Sequence, residues 1–239
     1  MLFYVIFYRK QEIKISLKNF KWNPDTVKQI YSVAVPAFFI ISTGSFMVMG
    51  INFILTKISA VAVAVFGIYY KLQTFVYMPT SGITQGAMPI MGYNYGAKNK
   101  KRLLEALNYS MIICAGINLL GTMLFWIFPK EILSCFNASY EMIEIGVPAL
   151  KIISTSFVLG SICFIFSCFF QSLGMGTASL LITLLRQLLI LIPLAFVLGN
   201  IFGLKGVWWS FIIAEFITCI CSLIIYKHHS KKDLVLKRI

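Results

Sequence analysis

The stretch that decides the fold reads GITQGAMPIMGYNYGAKNKKR and occupies residues 82–102. Its first part is uncharged and contains glycine, proline and small polar residues, and its end holds four cations: Lys98, Lys100, Lys101 and Arg102. An apolar segment that ends in a cluster of cations predicts a helix leaving a bilayer on the cytoplasmic side. Because glycine and proline loosen such a helix, the stretch also predicts a part that moves or lines water.

The composition of the whole chain supports a membrane location. Of 239 residues, 59% are hydrophobic and 12% are charged, whereas soluble domains carry about 25% charged residues. The chain is therefore predicted to be a polytopic membrane protein. Its net charge of +13 arises from cations between apolar segments, where topology and anionic lipid explain them, so no nucleic-acid partner is predicted.

Few residues suit catalysis or metal binding. The two histidines are adjacent in the basic C-terminal stretch, and the chain has no glycine-rich phosphate loop with its lysine. The six cysteines lack histidine partners and paired loop positions, so they are predicted to be small buried apolar residues. We therefore expect no enzyme activity, no cofactor and no metal site.

Uncharged runs, compared with the roughly 20 residues that a span needs, divide the chain. They predict six transmembrane helices at residues 27–56, 60–92, 103–128, 143–172, 177–200 and 206–226, with a turn at residues 172–176. The fold class is thus an all-α membrane protein with a six-helix bundle over residues 27–226. Residues 1–26 are predicted to be the end of a preceding helix plus a cytoplasmic basic linker, and residues 227–239 a cytoplasmic basic tail.

The distribution of lysine and arginine predicts the orientation. One side of the predicted membrane receives six cations from residues 9–28, four from residues 98–102 and five from residues 227–238. The other side receives Lys57, Lys130 and Lys205. We therefore expect a multi-pass protein of the plasma (inner) membrane, in contact with the lipid bilayer and with both termini in the cytoplasm.

Small and polar residues recur at helical spacing on successive spans. Such stripes are typical of close helix packing, and they also occur where helices share a solvated cavity. A stripe on the third span contains Asn118 and Thr122. For the first two spans we favour the cavity, and the candidates for contact with a substrate are Ser45, Met49, Asn52, Lys71, Gln73, Tyr77 and Ser81. Lys71 could equally extend its side chain to the membrane interface.

Two charges are predicted at membrane depth. Arg186 lies nine residues from the cytoplasmic start of its span, and Glu215 lies nine residues from the outer start of its span. Both residues are therefore predicted to lie roughly 14 Å deep, counted from opposite faces of the membrane. A charge at that depth costs about 2.5–3.5 kcal/mol on insertion scales. If the two helices are neighbours, the residues form either a structural ion pair or a carboxylate linked to proton or substrate binding and held by the arginine.

The segments QGAMPIMGYNYGAKNKKR, QSLGMGTASLLITLLRQLLILIPLAFVL and GLKGVWWSFIIAEF resemble the C-terminal half of a MATE family multidrug efflux transporter. The resemblance covers the chain from about residue 23 to residue 226. The motif at the cytoplasmic end of the second span is fairly specific, and its matching residues are Gln85, Gly86, Pro89, Tyr93, Asn94, Tyr95 and Gly96. Further matches are Gly174, Arg186, Gln187, Ile192, Pro193, Gly206, Val207 and Trp208.

The resemblance implies cation-coupled antiport that exports a small, often cationic, molecule in exchange for H⁺ or Na⁺. Such transporters have twelve helices in two bundles that expose the substrate alternately to each side. This chain would supply the C-terminal bundle, and its partner would be the missing N-terminal half or a second membrane chain. Some members carry an acid eight residues beyond the proline that matches Pro36, where this chain has Gly44, so we expect protons rather than sodium, coupled through the other half.

Two alternatives remain open from the sequence. One is a relative that flips a lipid-linked oligosaccharide, which a strongly cationic cavity would favour. The other is a truncated, non-transporting fragment or gene remnant. A polar stripe facing lipid is costly, so an isolated chain is expected to dimerise across that face or to be degraded.

Overall fold

The computed structural model describes residues 22–231, and within them the protein is helical and contains no strand. The prediction of an all-α protein is therefore confirmed. The predicted end of a preceding helix and most of the predicted basic linker, residues 1–21, lie outside the described residues, and residues 24–26 of that linker form the start of the first helix. Most of the predicted C-terminal tail, residues 232–239, also lies outside them. Residues 227–231, predicted as the start of that tail, continue the last helix.

Eight α-helices and one π-helical turn follow each other along the described chain. They are α1 (Pro24–Thr56), α2 (Ala60–Gly96), α3 (Lys100–Ile127), α4 (Pro129–Ser134), α5 (Tyr140–Ser154), α6 (Phe157–Ser172), α7 (Gly176–Leu184), the π-helical turn Leu185–Leu189 and α8 (Leu191–Lys231). Side-chain caps fix several starts, because Ser59, Asn99 and Ser139 each accept a hydrogen bond from a backbone N–H in the first turn of the next helix.

The chain divides into two units, residues 1–35 and residues 36–239. In the described part of the first unit, the Asn23 side chain caps α1 and accepts hydrogen bonds from the backbone N–H groups of Asp25 at 3.0 Å and Thr26 at 3.3 Å. All contacts described below lie within the second unit.

The helices differ from the predicted spans at two places. Among the described residues, four helical segments are individually long and apolar enough to cross a membrane, and the bent pair α5 and α6 adds a fifth. The predicted fourth span is bent by 48° between α5 and α6. There the Thr155 and Ser156 hydroxyls bond the backbone carbonyls of Ile152 and Ile153, which compensates for the broken helical ladder.

The predicted fifth and sixth spans are joined without the expected loop. Residues Gly176–His228 are apolar almost throughout, and the range α8 consists of two helices that meet at a kink at Gly203, whose φ is 61° and ψ is −144°. Glycine adopts this conformation without the steric cost of a Cβ atom. One residue therefore redirects the chain where the sequence predicts a loop at residues 201–205. The turn predicted at residues 172–176 is present, with Gly174 at φ 75°.

Two apolar clusters hold the second unit together. The first joins α1, α2, α5, the start of α6 and α8 around the fully buried rings of Phe66, Tyr69, Phe157 and Trp208. The second joins the end of α2 with α3, α6 and α7 around Met91, Leu103, Phe169 and Phe170. Helices α2 and α3 pack along each other, and a Cβ atom at Gly121 of α3 would meet Val76 of α2. Small residues thus permit the close approach that membrane helices use.

A buried polar contact ties α3 to α2. The Asn118 amide donates to the Thr80 hydroxyl at 2.7 Å and to the backbone carbonyl of Cys114 at 2.9 Å. The Thr122 hydroxyl lies 2.8 Å from the backbone carbonyl of Ser154 in α5. On the third span, these two polar residues hold helices together.

Replacing Asn118 with leucine is expected to lower the free energy of unfolding by about 1 kcal/mol, because interhelical hydrogen bonds in bilayers contribute about 0.6–1.7 kcal/mol. The measurement is unfolding by dodecyl sulfate, followed by circular dichroism. Thr80→Val serves as the matched change at the acceptor, and the double variant should lose little more than either single variant. Additive losses would show that the two side chains are not coupled.

Candidate functional site

The structure brings the two membrane-depth charges into contact. Arg186 lies in the π-helical turn and Glu215 in α8, and Nε of Arg186 donates to Oε1 of Glu215 at 2.6 Å. Their side chains are only 13% and 10% exposed. The pair has no net charge, which lowers the cost of holding both groups in an apolar region, although the loss of hydration offsets much of the attraction.

Tyr77 of α2 covers this ion pair. Its ring lies 5.6 Å from the Arg186 guanidinium carbon, within the range of a cation–π interaction. Its hydroxyl donates to the backbone carbonyl of Phe157 at 3.2 Å, and the Tyr77 and Phe157 rings meet edge to face at 5.8 Å. The start of α6 therefore fixes the tyrosine, and the tyrosine limits where the guanidinium can move.

Gly160 of α6 gives the pair its space. A Cβ atom built there would collide with the Tyr77 hydroxyl and would lie 3.0 Å from Oε1 of Glu215 and 3.2 Å from Nη2 of Arg186. The helix backbone thus approaches the ion pair more closely than any side chain would allow. No sequence pattern identifies this residue, because one glycine in an apolar span carries no signal of what it faces.

The π-helical turn directs two neighbouring side chains toward the same region. The backbone N–H of Ile190 bonds the carbonyl of Leu185 at 3.0 Å, a bond five residues back. Pro193 lacks the N–H that would bond the carbonyl of Leu189, and in a regular helix the proline ring would clash with that carbonyl. The position of Pro193 therefore explains the distortion of the helix. Such turns are frequent at functional sites. Pro193 is the feature of the sequence that indicates this turn.

A cavity of about 290 Å³ opens beside the pair. Helix α2 supplies one wall with Gln73, Tyr77 and Ser81, and α1 contributes Gly44. Arg186, Gln187 and Glu215 also line it, together with aromatic and apolar residues that include Tyr70, Phe164 and Phe211. This volume is just below the range of about 300–1,000 Å³ that is usual for small-molecule sites. We call it the charge-pair cavity.

A second, more open concavity of about 460 Å³ lies on α1. Ser45, Met49 and Asn52 line it, and Tyr70 of α2 lines both this concavity and the charge-pair cavity. Six of the seven candidate substrate contacts therefore line one of the two spaces, three in each. Lys71 lines neither space and is exposed on the surface of α2.

The residues of the motif at the end of α2 line neither space, although the Gln85 side-chain amide donates to the hydroxyl of the lining residue Ser81 at 3.5 Å. Gln85, Gly86, Pro89 and Tyr93 are exposed. Asn94 is buried, and its side-chain amide donates to the backbone carbonyl of Ile90 at 2.8 Å within the helix. Tyr95 is half-buried and Gly96 ends α2. This placement agrees with a role in helix termination rather than in ligand contact.

Polar atoms without partners mark the charge-pair cavity further. Oε2 of Glu215 and Oε1 of Gln187 are buried and have no hydrogen-bond partner within the described part of the chain. A buried acceptor without a donor costs about 1–3 kcal/mol, and more when it is charged. Residues 22–231 contain no group of three or more histidine, cysteine, aspartate or glutamate residues that could hold a metal ion.

Comparisons with known proteins agree with this architecture. Residues 36–197 match the family model described as MatE. The multidrug export protein MepA of Staphylococcus aureus is 27% identical over 227 residues, which cover 94% of this chain and 50% of that protein. MepA of Staphylococcus haemolyticus is 26% identical over 226 residues, with the same coverage. The chain thus spans about half the length of these relatives.

Solved structures share the fold. An outward-facing multidrug resistance MATE family transporter of the MOP superfamily superimposes with a TM-score of 0.90 at 23% identity, covering 100% of this chain and 54% of that one. A MOP superfamily transporter from Pyrococcus furiosus gives a TM-score of 0.87 at 23% identity, covering 95% of this chain and 52% of that one. At this identity the likeness concerns the fold alone.

Proposed function

This chain belongs to the MatE family, and on that premise we propose that it supplies the C-terminal bundle of an exporter of small organic cations. The observation that carries the proposal is the charge-pair cavity, which combines a buried carboxylate with aromatic walls. A carboxylate attracts a cation, and tyrosine and phenylalanine rings stabilise one through their faces. Export would require a second six-helix bundle, with the substrate exposed alternately to each side of the membrane.

The proposed orientation places both termini in the cytoplasm of the cell that bears this protein in its plasma membrane. It rests on the fifteen lysine and arginine residues on one predicted side against three on the other. We propose protons rather than sodium as the coupling ion. In support, Gly44 lines the cavity where sodium-type relatives are expected to carry an acid, and glycine has no side chain to bind the ion.

The cavity does not favour transport of a lipid-linked pyrophosphate. Its two charges are those of Arg186 and Glu215, which cancel, and Lys71 lies outside it. A strongly anionic ligand would gain little attraction from such a site. Among the alternatives, the truncated, non-transporting fragment is the one that an experiment must separate from the proposal.

Ser81→Phe is expected to weaken binding of radiolabelled tetraethylammonium to the full chain in lipid vesicles by about tenfold or more, since about 1.4 kcal/mol suffices for that factor. Ser81 lines the charge-pair cavity, and a phenyl ring would occupy part of its volume. Gly82→Phe is the matched control, because Gly82 is exposed and a Cβ atom there meets nothing within 4 Å. Equal binding by both variants would contradict a ligand site in this cavity.

Efflux distinguishes a transporter half from a fragment that only binds. Cells that express this chain alone should retain tetraethylammonium, whereas cells that also express a complementary N-terminal bundle should export it. Export by the chain alone would contradict the requirement for a second bundle. Binding without export in either strain would favour the non-transporting fragment.

A further inference from the structure

In the Arg186–Glu215 pair, only one of the two carboxylate oxygens is hydrogen-bonded. A single hydrogen bond, from Nε of Arg186 to Oε1 of Glu215 at 2.6 Å, joins the two groups. Oε2 of the same carboxylate is buried and has no donor among the residues that the structure describes. A purely structural pair in an apolar region is stable when its remaining lone pairs are satisfied. Half of this carboxylate therefore lacks the partner that such a role requires.

The groups around Glu215 do not supply the missing donor. The titratable side chains that face it are Arg186 from the π-helical turn, Tyr69 and Tyr77 from α2, Cys163 from α6 and Cys219 from α8 itself. Helix α1 faces the cavity with Gly44 and Met47, which do not titrate. The Tyr77 hydroxyl bonds the Phe157 carbonyl. The Cys163 thiol lies 3.9 Å from the Glu215 backbone carbonyl and offers the Glu215 carboxylate only the weak donor of an S–H group.

The size of the missing partner is restricted. Oε2 is shielded from solvent although Glu215 lines the cavity. A water molecule needs about 10–15 Å³ of its own and two or more polar partners, and an organic ammonium group is larger. A proton requires no additional space. The cation that fits an enclosed carboxylate oxygen is therefore a proton.

We propose that Oε2 of Glu215 is a proton-binding site within this bundle, and that the proton competes there with the organic cation of the proposed function, on which this second step rests. A hydronium ion transfers its proton to Oε2, so that one O–H bond of hydronium breaks, one O–H bond forms at the carboxyl group and a water molecule is released. Arg186 remains charged, so the pair changes from zero to one positive charge. The cavity then has no net charge in one state, and in the other it carries one positive charge that repels a cation.

This arrangement assigns Arg186 a role beyond neutralisation. While Glu215 is ionised, the Arg186 charge is matched at 2.6 Å. After protonation the guanidinium stays close to the cavity, because Tyr77 covers it and the backbone at Gly160 lies behind it. Two ligands that favour opposite charge states of one site are coupled, typically by 5- to 150-fold in affinity. The coupling carboxylate would thus lie in this half as well as in any partner bundle.

Infrared difference spectroscopy of the full chain in lipid vesicles tests the proton site directly. The carbonyl band of a protonated carboxyl group should grow reversibly on acidification, and one component should be missing from Glu215→Gln. Glu215→Asp, which keeps a carboxyl group, should shift that component rather than remove it. Glu144→Gln is the control, because Glu144 is an exposed acid outside the cavity. Identical pH-dependent spectra for the wild type and Glu215→Gln would overturn the proposal.

Tetraethylammonium binding separates this proposal from the proposed function. Wild-type affinity should fall about tenfold or more on acidification, and Glu215→Gln, whose amide imitates the protonated acid, should bind weakly at every pH. A Glu215 carboxyl band without tetraethylammonium binding would support the proton site and overturn the cation site. Binding with the same pH dependence in the wild type and Glu215→Gln would support the cation site and overturn the proton site.

Discussion

Replacing Gly160 with valine should lower the free energy of unfolding by about 3–5 kcal/mol, a loss as large as that from breaking a buried ion pair. Even a Cβ atom at this position collides with the Tyr77 hydroxyl and comes within 3.0 Å of Glu215 and 3.2 Å of Arg186. Valine adds two methyl groups beyond that atom. The Tyr77 hydroxyl must then leave the Phe157 carbonyl, and the two charges must separate or lose their cover.

Gly67→Val is the matched control for this prediction. Gly67 also lies inside an apolar helix, but it is exposed and a Cβ atom there meets nothing within 4 Å. Its replacement should leave stability nearly unchanged, or raise it by about 0.5–1 kcal/mol through the lower backbone entropy of the unfolded chain. Dodecyl sulfate unfolding followed by circular dichroism measures both variants. Similar losses at the two glycines would show that the contact at Gly160 is not what limits stability.

Arg186→Met should also lower the free energy of unfolding by about 3–5 kcal/mol, because it leaves the Glu215 carboxylate buried without its counter-charge. The double variant Arg186→Met with Glu215→Leu should recover most of that loss, since apolar residues of similar volume often replace a buried pair without cost. Both side chains are at most 13% exposed, so solvent cannot replace the missing partner. The same unfolding measurement gives the coupling energy of the cycle.

The double variant also separates stability from function. If the pair were only structural, a stable Arg186→Met, Glu215→Leu protein would bind tetraethylammonium as the wild type does. If the cavity works as proposed, the double variant should fold but bind the cation at least about tenfold more weakly, which corresponds to about 1.4 kcal/mol. Loss of stability in the double variant equal to that in Arg186→Met would contradict the ion-pair account.

Much of the site's general position follows from counting along the chain. The rise of 1.5 Å per residue places Arg186 and Glu215 at similar depths without knowledge of the fold, and the structure brings them into contact. The helical spacing of polar residues on the first two spans likewise identifies six residues that line the two spaces. Lys71 differs, because it is exposed and its long side chain can carry the ammonium group toward the membrane interface, away from the cavity.

Other features of the site have no clear sequence signal. Gln187 stands beside Arg186, and regular helical geometry separates neighbouring side chains by about 100°. Both nevertheless line one cavity from the π-helical turn. The turn at Gly203 replaces an expected loop, because a positive φ at one glycine is sufficient. Gly160 resembles several other glycines until its neighbours are known.

The sequence by itself determined the class of the protein, the approximate spans and the depth of its charges, because hydrophobic length and helical rise depend only on residues along one axis. Only the tertiary structure decided which helix faces which, and therefore that Glu215 meets Arg186 through one oxygen while the other has no donor. Rotation and close approach of helices depend on all their contacts together, including small residues such as Gly160. The pairing of Arg186 with Glu215 and the shielded Oε2 both arise at that level.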